Sequence, residues 1–220
     1  MNSVQELLQL SHELGDKSRE LAILGEGNTS TRLDDELFAV KASGSSLQNF
    51  DESGVARCKI ADVLALFERE NISDEEIEEA LLAARAFESD RKPSTEALFH
   101  AYLLTLPDVN FVGHTHPIAC NSILSSSRAL DFATKRMFPD EIVCCGPASA
   151  LVPYVNPGVP LARAIRDEVE GYRTQFGRAP RLVLLQNHGI IALGKTANAV
   201  LATTLMAEKA AKIFLGACAA

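Results

Sequence analysis

The run Val109-Asn110-Phe111-Val112-Gly113 ends in His114-Thr115-His116 and is stopped by Pro117, and this stretch limits what the chain can become more than any other. A short apolar run bounded in this way reads as a buried strand. Residues two apart on a strand point to the same side, so both imidazoles face one way. Neutral imidazole is a common transition-metal ligand, and two rings on a rigid strand end form half of a three-ligand site with an open fourth position. His-x-His also occurs as plain surface or hydrogen-bonded histidine, and this stretch alone leaves both possibilities open.

With 220 residues and 47% hydrophobic side chains, the chain is long enough to bury one substantial core. Nothing in it reads as a linker, so one domain over residues 1 to 220 is expected. A net charge of −8 without clustered Lys and Arg excludes a nucleic-acid surface, although a small anion can still be held by backbone N–H groups. Cys58, Cys120, Cys144, Cys145 and Cys218 show no paired spacing, which points to a reducing, cytoplasmic setting. The first residues carry neither a basic region nor a long apolar run, and no run of about 18 apolar residues occurs, so no membrane span is expected.

Val4, Leu7, Leu8, Ser11 and Leu14, followed by Leu21 and Leu24, predict mostly helix over residues 3 to 24, ended by Gly25. Residues 25 to 30 read as a loop leading into short strands at 31–33 and 37–40, joined at Asp34-Asp35. The second strand runs into Lys41-Ala42-Ser43-Gly44-Ser45-Ser46. Two Gly/Ser loops at neighbouring strand ends can present N–H groups and hydroxyls to an oxyanion, or can be ordinary turns. A strand at 55–60 and a helix through Val63, Leu64 and Phe67 follow, and Ser73-Asp74-Glu75-Glu76 is a capping box opening an amphipathic helix. Pro93-Ser94-Thr95-Glu96 predicts a helix start whose N–H groups suit an anion at Ser94 and Thr95. Glu96 in that first turn is either a chemical group or a helix-dipole partner.

Helical spacing is compatible with residues 118–124, while 125–150 give no clear pattern. Leu161, Ile165, Val169 and Tyr172 mark a helix, residues 181–186 and 190–193 read as strands, and 196–214 as a closing helix. Strands alternating with helices predict a mixed three-layer α/β fold. His188, in Asn187-His188-Gly189, tops a second core strand and can supply a third metal ligand beside His114 and His116. His12 falls on an amphipathic helix as a surface residue. A second ligand set uses Glu96 with His100, which lie four apart on one helix face.

Gly27-Asn28-Thr29-Ser30, Ala42-Ser43-Gly44, Pro93-Ser94-Thr95-Glu96 with His100, His114-Thr115-His116 and Asn187-His188-Gly189, in this order, closely resemble the class II aldolase/adducin family. The resemblance implies an α/β/α domain with a central mixed, largely antiparallel sheet, and a zinc-dependent homotetramer acting on a phosphorylated sugar. It implies His114, His116 and His188 as ligands of one Zn²⁺, Glu96 as the acid/base carboxylate, and Asn28, Ser43, Gly44, Ser94 and Thr95 as the phosphate cradle. The implied reaction is retro-aldol cleavage of a ketose phosphate to dihydroxyacetone phosphate and an aldehyde through an enediolate. Decarboxylation of a 3-oxo-tetronate 4-phosphate, epimerisation and dehydration are the alternatives in the same family, and the intact histidines disfavour a purely adducin-like binding role. The family's aldolases use a tyrosine after His-x-His as a second proton donor, but no tyrosine lies between His116 and Pro153. Tyr154, Asp140 or Glu141 are the candidates to replace it.

Overall fold

The computed structural model describes residues 2–70 and 72–219; Met1, Asn71 and Ala220 lie outside the described residues. Its centre is a seven-stranded sheet built from β1 (Asn28–Arg32), β2 (Leu37–Lys41), β3 (Val55–Lys59), β4 (Phe111–Thr115), β5 (Ala150–Val152), β6 (Leu182–Leu185) and β7 (Gly189–Gly194). The strand order is β3-β2-β1-β4-β7-β6-β5. Every neighbouring pair is antiparallel except β5 with β6, which makes the sheet mixed and largely antiparallel, as expected.

Helices cover both faces. Helices α2 (Ile60–Leu64), α3 (Asp74–Ala83), α4 (Ala97–Leu103) and α8 (Val159–Phe176) bury Leu81, Leu98, Leu103 and Ile165 against Phe38, Val112, Val183 and Ile191 of the sheet. The opposite face carries α1 (Ser3–Leu14), α5 (Ile118–Leu124), α6 (Ala129–Thr134), α7 (Pro139–Cys145) and α9 (Ala197–Ala219). There, Leu14 and Val200 pack on Phe111 and Ala192, and Ile123, Phe132 and Phe214 cluster with Leu184 and Ile190. Even-numbered residues of β4 therefore face α4 and odd-numbered ones face α9, the alternation that aims His114 at one layer. Among the described residues no helix is long and apolar enough to cross a membrane. All five cysteines are unpaired.

Several expected boundaries shift. Helix α1 stops at Leu14 instead of running on toward residue 24, because Gly15 lies against the backbone of Leu47 and Gln48 and the Asp16 carboxylate then caps a short 3-10 turn at Lys17–Arg19. Strand β1 begins at Asn28, so Asn28, Thr29 and Ser30 are sheet residues and only 25–27 remain loop. Pairing with β4 overrides their weak strand propensity. The helix expected to open at Pro93 begins at Ala97, since Ser94 N–H donates to the Lys41 carbonyl (3.3 Å) and holds the preceding segment against the end of β2. Residues 125–150 fold into α6, α7 and β5 around one buried cation: Arg136 donates to the Gly146 carbonyl (2.8 Å), Ser149 Oγ (2.9 Å) and Glu141 Oε1 (3.2 Å). The capping box is present, with Glu76 N–H donating to Ser73 Oγ (3.2 Å) and Ser73 N–H to Glu76 Oε2 (2.9 Å).

Candidate active site

Strands β1, β4 and β7 lie side by side, and the chemistry gathers at one end of them. His114 is the fourth residue of β4, directly opposite Asn28 on one side and Ile191 on the other. It is fully buried, whereas the side chains of His116 and His188 are 21% and 19% exposed, so the pocket opens toward solvent past those two. His188 occupies the tight turn joining β6 to β7, where Asn187 takes the left-handed conformation (φ 54°) that asparagine tolerates. Helix α5 braces that turn. Asn121 Nδ2 donates to the His188 carbonyl (3.0 Å) and Asn187 N–H to the Leu124 carbonyl (3.3 Å).

The ring centroids of His114, His116 and His188 stand 4.7, 4.9 and 5.1 Å apart, all edge to face. One ligand nitrogen from each ring lies within 4.8 Å of the others. The Ile190 carbonyl can only accept, so His114 Nδ1–H donates to it (2.9 Å) and Nε2 keeps a bare lone pair aimed at the other two rings. His116 Nε2 sits 2.9 Å from that atom. Two ligands on a tetrahedral ion with bonds of ~2.0–2.1 Å stand ~3.3 Å apart, so these two donors need open by only a few tenths of an ångström to share a cation. Burial, then the neighbouring histidines, draw the His116 pKa down to about 4, and burial lowers His114 as well, which keeps both rings in the neutral form that binds metal. Glu26 Oε2 lies 3.8 Å behind His116 Nδ1, a carboxylate of the kind that orients a ligating imidazole. The trio fits a divalent metal by donor type and spacing, and His114 and His116 by their neutral state as well.

Gly189 makes the close grouping possible. A Cβ there would stand 2.6 Å from both the Thr115 carbonyl oxygen and His116 Cδ2, and 3.1 Å from His114 Cε1.

Glu96 enters from the N-cap of α4. Its Oε1 lies 3.4 Å from His188 Nε2 and 3.6 Å from His114 Nε2, and its Oε2 accepts from Asn28 Nδ2. Burial would raise its pKa, but the neighbouring His114 imidazole and hydrogen bonds from His188 and Asn28 outweigh this and hold it well below the usual carboxylate range. His100 does not join the histidine trio. Its ring is buried, with Nδ1 2.6 Å from Ser30 Oγ and Nε2 against Asn28 Oδ1, so the alternative set using Glu96 with His100 is not what the fold assembles. Glu96 and His100 do lie one turn apart at the start of α4, with His100 N–H donating to the Glu96 carbonyl (3.3 Å), and both side chains meet the Asn28 amide.

The proposed cradle residues also converge, Asn28 differently from the rest. Ala42 bridges Pro93, and Ser43 N–H donates to the Lys92 carbonyl (2.9 Å), which lays the Ser43-Gly44 turn beside Ser94-Thr95. Gly44 adopts φ +75°, and the N–H groups of Gly44 and Thr95 donate to no partner among the described residues. Asn28 is buried, with its amide engaged at both ends by Glu96 and His100. Lys41 was missed by sequence reasoning. Only 4% exposed, it donates to the Ser45 carbonyl (2.6 Å) and reaches that of Gly25 (3.5 Å), tying the two Gly/Ser loops together. Burial pulls its pKa down and Glu96 pulls it back up. A lone lysine ending an apolar strand was the available signal.

Of the replacements for the missing tyrosine, Glu141 is committed to its buried pair with Arg136, Tyr154 is exposed with its hydroxyl toward Asn156, and Asp140 is exposed in the first turn of α7.

A profile of the class II aldolase and adducin N-terminal domain matches residues 5–215. The chain belongs to this family. An oxidoreductase of uncharacterized role, YuxG of Bacillus subtilis (strain 168), is 30% identical over 203 residues, 89% of this chain but only 27% of that protein, so this chain spans about a quarter of that relative. The 3-oxo-tetronate 4-phosphate decarboxylase of Haemophilus influenzae is 29% identical over 202 residues, covering 89% of this chain and 80% of the enzyme. Among solved structures, the N-terminal class II aldolase domain of a conserved Thermoplasma acidophilum protein superposes with TM-score 0.76 at 24% identity, over 97% of this chain and 94% of that one. An L-fuculose 1-phosphate aldolase superposes with TM-score 0.70 at 20% identity, over 100% and 88% of the two chains. These structural likenesses establish the shared fold.

Proposed function

We propose that the chain is a zinc-dependent lyase that breaks a C–C bond in a ketose phosphate by retro-aldol cleavage, releasing dihydroxyacetone phosphate and an aldehyde. The observation that carries this is the trio His114, His116 and His188 with the Glu96 carboxylate 3.4–3.6 Å from two of its nitrogens. A zinc ion held by the trio would supply Lewis-acid polarisation of the substrate carbonyl. Ser43, Gly44, Ser94 and Thr95, on a frame fastened by Lys41, anchor the phosphate and fix the reacting carbons beside Glu96. When the bond breaks, its electron pair passes into the enediolate, the ionised Glu96 takes the proton of the departing hydroxyl as that becomes the aldehyde, and Glu96 then returns this proton to the enediolate carbon. Glu96 suits that work because Asn28 holds one of its oxygens and leaves the other facing the site.

A second reading is decarboxylation of a 3-oxo-tetronate 4-phosphate. It is favoured by the likeness to the Haemophilus enzyme and by the missing tyrosine, since loss of CO₂ removes no hydroxyl proton and one carboxylate suffices. Metal analysis should give about one zinc per chain, and incubation with dihydroxyacetone phosphate in D₂O should exchange the reacting C–H hydrogen. Glu96→Gln should keep the metal and lose about 10²- to 10⁴-fold in exchange rate. Full exchange in the variant removes Glu96 from the chemistry. Product identification with ketose 1-phosphates and 3-oxo-tetronate phosphates separates the two readings.

A further inference from the structure

We propose that Ser30 and His100 are positioning residues that set the orientation of Glu96 through Asn28, by a hydrogen-bond chain whose polarity is fixed from end to end. The inference rests on the proposed function only in the role it gives Glu96. All three residues behind the carboxylate are buried, at 0% exposure for Ser30, 3% for Asn28 and 0% for His100. The sheet and α4 bring them together from positions 70 and 72 residues apart in sequence.

Glu96 determines the polarity. An ionised carboxylate accepts only, so Asn28 must present its NH₂ group to Oε2. The amide oxygen then faces His100, so the imidazole must carry its proton on Nε2 and donate it to Asn28 Oδ1. Burial keeps the ring neutral, with its pKa drawn down to about 3. Nδ1 is therefore bare and accepts the Ser30 hydroxyl proton across 2.6 Å. The reversed amide would set two oxygens against each other, an unpaired buried contact that is costly at low dielectric. The chain thus runs Ser30 to His100 to Asn28 to Glu96, every link donating in one direction.

Its consequence is a division of labour on the carboxylate. Oε2 is held from β1, and Oε1 is left facing His188 and His114, where a proton can move to or from a substrate. Without the chain, Asn28 can flip and Glu96 loses the donor that fixes its rotamer. Phe99 also restrains the imidazole, stacked at 4.8 Å and 24°.

The first test needs no substrate. Nitrogen-15 NMR of histidine-labelled protein should show His100 as the neutral Nε2–H tautomer throughout pH 5.5 to 8.5; Ser30→Ala, which removes only the donor to the bare Nδ1, should keep that tautomer, while Asn28→Ala, which removes the acceptor that dictates it, should mix the two. A His100 that is protonated at pH 6, or carries its proton on Nδ1 in the wild type, overturns the proposal. The second test follows deuterium exchange into dihydroxyacetone phosphate. His100→Leu should lower the rate at saturation about 10- to 100-fold, the scale of removing a partner that orients a reactive group, while apparent KM and zinc content hold. His100→Gln, whose amide can still donate to Asn28, should recover most of that loss. Wild-type turnover in His100→Leu, or a loss carried wholly by KM, overturns the proposal. If the wild type itself exchanges nothing, the proposed lyase chemistry falls and the tautomer measurement still decides the hydrogen-bond chain.

Discussion

Replacing Gly189 by alanine adds one methyl at the tightest point of the site. Gly189 is absent from the glycines with positive φ, so backbone strain plays no part and the effect is one of space. The new Cβ would stand 2.6 Å from the Thr115 carbonyl oxygen and from His116 Cδ2. Carbon contacts relax near ~3.5 Å, so about 1 Å has to open. Thr115 cannot retreat cheaply, because β4 is locked to β7 by the pairs Thr115 with Ile190 and His114 with Ile191. The strain is relieved either by swinging the His116 ring or by lifting the turn that carries His188, and each route displaces a proposed ligand. Overpacking of this kind costs about 1–3 kcal/mol. Falling on metal binding, that is a weakening of roughly 5- to 150-fold at ~1.4 kcal/mol per decade.

Competition with a chromophoric zinc chelator reads the affinity, and thermal melts with and without zinc show how the loss is divided. The metal-free variant should melt only slightly below the wild type, and the rise in Tm on adding zinc should shrink. Wild-type zinc affinity together with an undiminished rise in Gly189→Ala would refute the account, because the three rings would then not depend on this close approach.

Glu141→Ala should destabilise the fold by about 3–5 kcal/mol in urea denaturation, since it leaves the Arg136 guanidinium, whose side chain is 4% exposed, without its partner; zinc stoichiometry should not change. The metal-free protein should lose thermal stability as pH falls from 6.5 toward 4. His116 and His100 have folded pKa values of about 4 and about 3 against 6.5, so the unfolded chain binds more protons in that window and the stability is complete only above it. A flat Tm between pH 7 and 5 contradicts this. Lys41→Ala should weaken binding of phosphoglycolohydroxamate about 10- to 100-fold by calorimetry, the scale of losing a charged hydrogen bond of ~1.5–3 kcal/mol, while zinc binding is kept. Equal loss for the unphosphorylated hydroxamate would place Lys41 elsewhere than the phosphate frame.

The residues legible in the sequence are those that end a regular pattern. His114 and His116 close an apolar run before Pro117, His188 sits between two such runs, and Glu96 follows Pro93 and two hydroxyl residues, so each is marked by local chain chemistry alone. Strand identity was likewise legible wherever apolar residues cluster, as in β2, β4, β6 and β7. Only the end of strand β1 was legible, as the short strand expected at 31–33; its start was hidden because Asn28-Thr29-Ser30 holds no apolar residue, and the pairing with β2 and β4 that makes it a strand is non-local. The segment 125–150 was hidden for a related reason, since much of its order comes from one arginine satisfying carbonyls and a carboxylate that have no periodicity.

The supporting partners were illegible because they become neighbours only through the sheet order. Placing β1 between β2 and β4 sets Asn28 directly across from His114, and placing β7 on the far side of β4 brings Gly189 under both rings. The same order explains why Glu96 stands outside its helix. Ser94 must pair with Lys41 at the end of β2, so α4 can begin only beyond the carboxylate, and Glu96 reaches the site from the turn that the pairing creates. A helix starting at Pro93 would forfeit that contact. Glu96 is thus held by β1 through Asn28, by β2 through the Ser94 contact and by α4 through its own backbone, while the three histidines ride on β4 and the β6–β7 turn. The proposed proton carrier and the proposed metal ligands are carried on different elements, so Glu96 can be displaced by substitution at His100 without disturbing the rings that stand 3.4–3.6 Å from it.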